Sequence, residues 1–189
     1  MSEPPETPTA TSARSAAGKS RAATVLRAAE VAARAQSFSH PWNPASEVTG
    51  ARMSELAGLS RTGVSRVRVD PGKESFADHA HHFEEEWIYI LSGRAVVRID
   101  GVEHGVGPGD FVGFPTPSQA HQLVNRFDEP VEYLMGGESR EFEVADFPTL
   151  NRRMLRFAER VEVVPLDAAE PLVFTPPSPA PDAAAEDER

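Results

Sequence analysis

Short apolar runs closed by glycine or proline turns are the feature that most constrains the fold of this chain. Residues 64–69 end in an alternation of arginine and valine, and Pro71-Gly72 closes the run. Asp100-Gly101 separates two further apolar runs by two residues, which predicts a β-hairpin with a type I′ turn. Such strands, with no convincing helix between them, indicate an all-β sandwich or barrel.

The same pattern repeats through the middle of the chain. Each apolar run is rich in β-branched or aromatic residues and is followed by a turn signal, as expected for antiparallel strands. Beyond 64–69, the predicted strands are residues 87–91, 95–99, 102–106, 111–115, 121–125 and 131–135, with edge strands at 153–157 and 161–165.

Composition divides the chain into three zones. Residues 1–36 form an Ala/Arg-rich basic arm, predicted to be flexible with a weak helix around 22–35, in preference to an organelle transit peptide. Residues 37–173 hold nearly all the large apolar side chains and are predicted to form one barrel domain. Residues 174–189 combine prolines with acids, which predicts a disordered tail.

The charge and the lack of cysteine narrow the classes of function. A formal net charge of -10 over 189 residues argues against nucleic acid as a partner. No apolar run approaches the roughly 20 residues of a membrane span, and no secretory signal is apparent, so we expect no membrane partner and a cytoplasmic location. Because the chain has no cysteine, a bound metal must have nitrogen and oxygen ligands.

Three histidines and a glutamate have the spacing of a metal site. His79 and His81 are two residues apart, so in a strand both imidazoles point to one face. Glu86 reaches that face only if residues 82–85 turn and a new strand begins at Glu86, while His121 opens a third strand. A set of three nitrogens and one oxygen suits one divalent transition metal ion, namely Fe, Mn, Ni, Cu, Co or Zn.

Two segments resemble the two motifs of the cupin superfamily. Residues 72–93 resemble the first motif through His79, His81, Glu86 and Gly93. Residues 109–125 resemble the second through Gly109, Pro115, His121 and Asn125, although Pro117 stands where a glycine is usual. The resemblance implies a small single-domain cupin, an antiparallel jelly-roll β-barrel with the metal inside one mouth, that forms a homodimer.

Several assignments stay open at this point. Spacing selects Glu86 as the carboxylate ligand, with Glu85 as the fallback. Ligating imidazoles donate their second N–H to an acceptor, for which Asn125, Gln119 and Asp78 are the candidates. The sequence gives no role to His40, His82 and His104, treats Trp87 and Tyr89 as packing or interface residues, and assigns no catalytic residue among Arg66, Arg68, Arg98, Glu132 and Tyr133.

Three functions compete. The first is a metal-dependent enzyme acting on a small molecule, either a dioxygenase with iron or an isomerase, lyase or decarboxylase with a Lewis-acidic metal. The second is a non-catalytic small-molecule-binding or sensory module, and the third is a barrel that keeps a metal for stability alone. Charged groups beside the metal would favour the enzyme, whereas an apolar pocket would favour binding.

Overall fold

The computed structural model describes residues 24–168, 170 and 172. The predictions for residues 1–23 and for the tail 174–189 therefore lie outside the described residues. In chain order the helices and strands are α1 (Ala28–Ala33), β1 (Gln36–Phe38), β2 (Val48–Arg52), α2 (Met53–Leu56), β3 (Thr62–Val69), β4 (Ala80–His81), β5 (Glu86–Ser92), β6 (Ala95–Ile99), β7 (Val102–Val106), β8 (Phe111–Phe114), β9 (His121–Val124), β10 (Val131–Glu138), β11 (Phe142–Phe147), β12 (Arg152–Phe157) and β13 (Arg160–Pro165).

The strands form two antiparallel layers, which confirms the predicted all-β jelly-roll barrel. One layer is a six-stranded sheet in the order β1-β2-β3-β10-β5-β8. The other consists of a four-stranded sheet, β13-β12-β11-β4, and a three-stranded sheet, β7-β6-β9. An antiparallel bridge between His79 and His121 joins these two smaller sheets, so the second layer is closed at the histidines.

The main core lies between the two layers. Its buried side chains come from both, and each fully buried aliphatic side chain contributes about 1.5–3 kcal/mol relative to exposure. They are Val48, Val67, Val69, Ile88, Ile90, Ala95, Val97, Phe114, Leu123, Val131 and Tyr133. A smaller cluster of Ala77, Ala145 and Phe147 packs behind the segment that carries His79.

The strands predicted from residue 64 onward are all present, with ends shifted by at most three residues. The predicted hairpin is also confirmed, since Asp100 and Gly101 both have positive φ, 48° and 78°. The sequence analysis missed β1, β2 and β11. Strand β1 has only three residues, β2 contains Gly50, and β11 has Glu143 and Asp146 among its apolar residues. The apolar pattern of each strand is therefore weak.

The end of the predicted N-terminal arm contains regular structure. Helix α1 has six residues and lies within the range predicted for a weak helix, and its Val31 is buried. Strand β1 begins at Gln36, one residue before the predicted start of the barrel domain, and pairs with β2. None of the helices in the described part of the chain has the length and apolar character that a membrane crossing requires.

Gly93 and Gly101 offer a matched test of the tight turn that follows β5. Both have positive φ, 74° and 78°, but a Cβ on Gly93 would lie 2.1 Å from the carbonyl oxygen of Pro130, whereas one on Gly101 would meet nothing within 4 Å. We expect Gly101→Ala to cost about 1–2 kcal/mol of unfolding free energy through its backbone conformation alone. We expect Gly93→Ala to cost about 1–3 kcal/mol more because of the clash. Denaturant unfolding measures both, and equal losses would contradict the described packing at Gly93.

Candidate metal centre

Backbone pairing brings the four predicted ligands together. His79 and His121 exchange two hydrogen bonds, with N···O distances of 3.2 and 2.8 Å. His81 lies two residues beyond His79 in β4, which pairs with β11. Glu86 is the first residue of β5, and a bend at residues 82–85 precedes it, as the spacing predicted. The donor atoms of His79, His81, Glu86 and His121 all lie within 4.8 Å of one another, so the group could hold a metal ion.

The three imidazoles converge on one carboxylate oxygen. The Oε2 atom of Glu86 lies 3.2 Å from Nε2 of His121, 3.3 Å from Nε2 of His81 and 3.8 Å from Nε2 of His79. The histidine side chains are 6–14% exposed and that of Glu86 is 25% exposed, so solvent reaches the group from the side of the glutamate.

In His79 and His121, the contacts of Nδ1 determine that Nε2 is the nitrogen that faces Glu86. Nδ1 of His79 lies 2.8 Å from the carbonyl oxygen of Ala77, and Nδ1 of His121 lies 2.9 Å from that of Gln119. A carbonyl only accepts hydrogen bonds, so each Nδ1 carries a proton, and whenever the ring is neutral the lone pair of Nε2 faces Glu86. A nitrogen lone pair and a carboxylate that face each other repel. A cation between them removes this repulsion, and either a proton or a metal ion fits that position.

His81 has a different environment. Its Nδ1 lies 3.4 Å from Oε1 of Glu143, and neither ring nitrogen makes a hydrogen bond within the described residues. Sequence analysis missed Glu143, which lies in β11 and is fully buried. Alternation along that strand places Glu143 on one face with Ala145 and Phe147, so a glutamate on an otherwise apolar face was the available signal.

The charges of the group are coupled. Burial opposes ionisation of Glu86, but the neighbouring imidazoles of His121, His79 and His81 hold the pKa of its carboxyl well below its usual value. Burial likewise opposes protonation of His81, but the carboxylates of Glu143 and Glu86 outweigh it and raise the pKa of that imidazole to about 9. Without a metal, a proton on His81 therefore compensates part of the negative charge of the Glu86 and Glu143 carboxylates at neutral pH.

Aromatic and aliphatic side chains surround the group inside the barrel. Phe114 stacks on His121 with ring centroids 3.7 Å apart, and Phe147 stacks on His79 at 5.8 Å. The cavity next to His79, Glu86 and His121 has a volume of about 30 Å³, enough for one or two water molecules. Its other lining residues are mostly apolar, and include Ile88, Val97, Phe114, Leu123 and Met135.

The candidate acceptors were only partly correct. Gln119 serves His121, but through its backbone carbonyl, which any residue would provide. Asn125 instead donates to the carbonyls of Val69 and Glu129 and so holds a turn together. Asp78 makes no hydrogen bond to a ring of the group within the described residues. Backbone acceptors have no sequence signature, so the residue types could not reveal them.

The remaining polar residues lie outside the group. Glu85, the fallback ligand, is exposed, and Glu84 is buried in an ion pair with Arg156. His82 contacts Asp146 and His104 is exposed. Of the residues without an assigned role, Arg66 and Glu132 pair with each other, and Tyr133 is buried in the core beside the cavity.

Comparison with known proteins identifies the family. The model of the family described as "Cupin domain" matches residues 65–137. The Tetracenomycin polyketide synthase protein TcmJ of Streptomyces glaucescens is 30% identical over 73 residues, which cover 39% of this chain and 48% of that protein. The chain therefore spans about half the length of this curated relative.

Two solved structures match more of the chain. A protein of Acidithiobacillus ferrooxidans to which a sugar phosphate isomerase activity is ascribed is 30% identical, with a TM-score of 0.76, over 79% of this chain and 97% of its own. A sugar phosphate isomerase of the cupin superfamily from Silicibacter pomeroyi is 29% identical, with a TM-score of 0.65, over 74% of this chain and 89% of its own. The two-layered barrel, the matching family model and these relatives together show that the chain belongs to the cupin superfamily.

Proposed function

We propose that His79, His81, Glu86 and His121 bind one divalent transition metal ion and that the protein is a metal-dependent enzyme acting on a small molecule. The observation that carries the proposal is the convergence of three Nε2 atoms on one Glu86 oxygen. Two of the lone pairs are aimed there by backbone acceptors, an arrangement that only a cation makes favourable. The nitrogen-rich set suits Fe, Mn, Ni, Cu, Co or Zn, in preference to Ca or Mg.

Access to the group determines where a substrate would bind. The inner cavity of about 30 Å³ is too small for anything larger than water. Glu86, by contrast, is a quarter exposed, so the substrate would approach on the side of that carboxylate. Burial raises the pKa of the Tyr133 phenol beside the cavity well above its usual value, so this hydroxyl stays protonated. It therefore cannot serve as a general base at neutral pH.

Isomerisation of a sugar phosphate is the reaction class that we favour. Two solved structures that match 79% and 74% of the chain carry that activity in their names, at 30% and 29% identity. A bound divalent metal would supply a Lewis acid that polarises a carbonyl or hydroxyl oxygen of the sugar. The histidines and Glu86 would hold that ion, and the surrounding phenylalanines would exclude bulk water from one side.

Non-catalytic binding is the second candidate, because the side chains that surround the group inside the barrel are mostly apolar and offer a substrate few polar contacts. The homodimer and the cytoplasmic location also remain proposals, the former resting on the resemblance to cupins.

An isomerase assay separates the two candidate functions. We expect the metal-loaded protein to interconvert at least one aldose–ketose phosphate pair, and to exchange hydrogen with D2O at the carbon next to the carbonyl, as followed by NMR. His121→Ala should lower the rate to that of a protein-free control because it removes one of the ligands. His104→Ala changes an exposed histidine and should retain activity. If the metal-loaded wild type converts none of a broad panel of sugar phosphates, the isomerase proposal is contradicted and non-catalytic binding is favoured.

Proton release tests how the metal enters the group. The raised pKa of His81, about 9, means that the ring of the metal-free protein is protonated at neutral pH. A metal ion must displace this proton, so affinity should rise with pH until the ring is neutral. Calorimetric zinc titrations near pH 7.5, in two buffers of different ionisation enthalpy, should give at least about one proton released per ion. Binding without proton release would contradict the assignment of His81 as a ligand.

A further inference from the structure

Glu143 is a buried charge that the four predicted ligands do not explain. Its side chain is fully buried in β11, outside both motif segments of the sequence. A carboxylate in such a position costs several kcal/mol unless hydrogen bonds or opposite charges compensate for it. Its surroundings should therefore indicate why the chain keeps a glutamate there.

The contacts of Glu143 point towards His81. Its Oε1 accepts hydrogen bonds from the backbone N–H groups of His82 and Phe83, at 3.0 and 3.3 Å, and lies 3.4 Å from Nδ1 of His81. Its Oε2 has no hydrogen-bond partner among the residues that the structure describes. The two backbone hydrogen bonds hold the carboxylate in place. The side chain next to it is that of His81, whose ring can carry a proton on the nitrogen that faces Glu143.

His81 is the ligand candidate without a carbonyl acceptor. The rings of His79 and His121 are each held by a backbone carbonyl two residues earlier in the chain, so no side chain is needed to orient them. Within the described part of the chain, both ring nitrogens of His81 lack such a bond. An acceptor at Nδ1 must therefore come from elsewhere, and Oε1 of Glu143 lies 3.4 Å from that nitrogen.

A second metal ion between His81, Glu84 and Glu143 is the competing explanation. The donor atoms of these three residues also lie within 4.8 Å of one another. However, Glu84 is already neutralised by Arg156, and its Oε1 accepts the backbone N–H of Arg140 at 2.5 Å. Because Glu84 already has these partners, the remaining interaction is the one between the Glu143 carboxylate and Nδ1 of His81.

We propose that Glu143 is a positioning residue, which holds the proton of His81 on Nδ1 and thereby directs the lone pair of Nε2 at Glu86. The assignment deepens the proposed function and rests on it, since an oriented Nε2 matters when a metal is bound. A carboxylate is a stronger acceptor than a carbonyl, so Glu143 would also make His81 the most basic of the three nitrogen donors.

Glu143→Met is the informative change because it keeps a side chain of similar length and removes the acceptor. The same Oε1 atom accepts both backbone hydrogen bonds and faces Nδ1 of His81, so a glutamine could keep its amide oxygen there and leave the tautomer unchanged. With no acceptor at Nδ1, the proton moves to Nε2, which lies 3.3 Å from Oε2 of Glu86, and blocks the position of the metal. Asp146→Asn is the matched control, since Asp146 is a carboxylate on the opposite face of β11 that bonds His82, at 2.8 Å, rather than a proposed ligand.

Two measurements test the proposal. Long-range 1H–15N NMR of the metal-free protein, at a pH where the rings are neutral, should show His81 protonated on Nδ1 in the wild type and on Nε2 in Glu143→Met. His79 and His121 should keep the Nδ1–H form in both proteins and so serve as internal controls. Zinc affinity, measured by competition with a chelator, should fall about 10–100-fold in Glu143→Met and stay unchanged in Asp146→Asn.

The possible results separate this inference from the proposed function. A wild type that binds no zinc overturns the proposed function, while the tautomers of the metal-free protein still test Glu143. Unchanged tautomer and affinity in Glu143→Met overturn the inference, as does a second zinc ion in the wild type that this variant loses. If Glu143→Met does not fold, the wild-type spectrum decides, because an Nε2–H form of His81 there contradicts the role of Glu143.

Discussion

The backbone bridge between His79 and His121 serves the fold and the candidate site at once. It joins the two smaller sheets into one layer of the barrel, and it places two imidazoles side by side with their ring centroids 4.7 Å apart. The facing layer contributes Glu86 at the start of β5. Because the four side chains lie on strands that are distant in sequence, the group forms only when the barrel closes, and its geometry is as rigid as the sheets that carry it.

The surroundings of the group are asymmetric in two respects. Two imidazoles are oriented by carbonyl oxygens and the third lies beside a buried carboxylate, so the three nitrogens differ in their donor strength. The barrel interior is apolar and nearly filled, whereas the side chain of Glu86 is a quarter exposed. Under the proposed function, a substrate would approach from the side of Glu86 and the barrel interior would restrict water on the other side, which suits Lewis-acid chemistry on a small molecule.

The sequence predicted the strands from residue 64 onward because their apolar residues alternate between clear turn signals, of which Asp100-Gly101 is the sharpest. It also predicted that His79, His81, Glu86 and His121 meet, since strand periodicity requires a turn between His81 and Glu86. The contact of Glu143 with His81 was not predicted, because a lone glutamate in a strand is usually solvated and only the tertiary fold reveals that this one is buried. The carbonyl acceptors of His79 and His121 could not be predicted, since every residue carries a carbonyl.

The most direct test of the account is the metal content of the purified protein, produced without a metal-binding tag, in the wild type, His81→Ala and His104→Ala. We expect about one equivalent of Fe, Mn, Ni, Cu, Co or Zn in the wild type and in His104→Ala, and none in a folded His81→Ala. Circular dichroism confirms that each protein is folded. A wild type without metal, or a His81→Ala that keeps its full complement, would contradict the central claim that these four side chains form one metal centre.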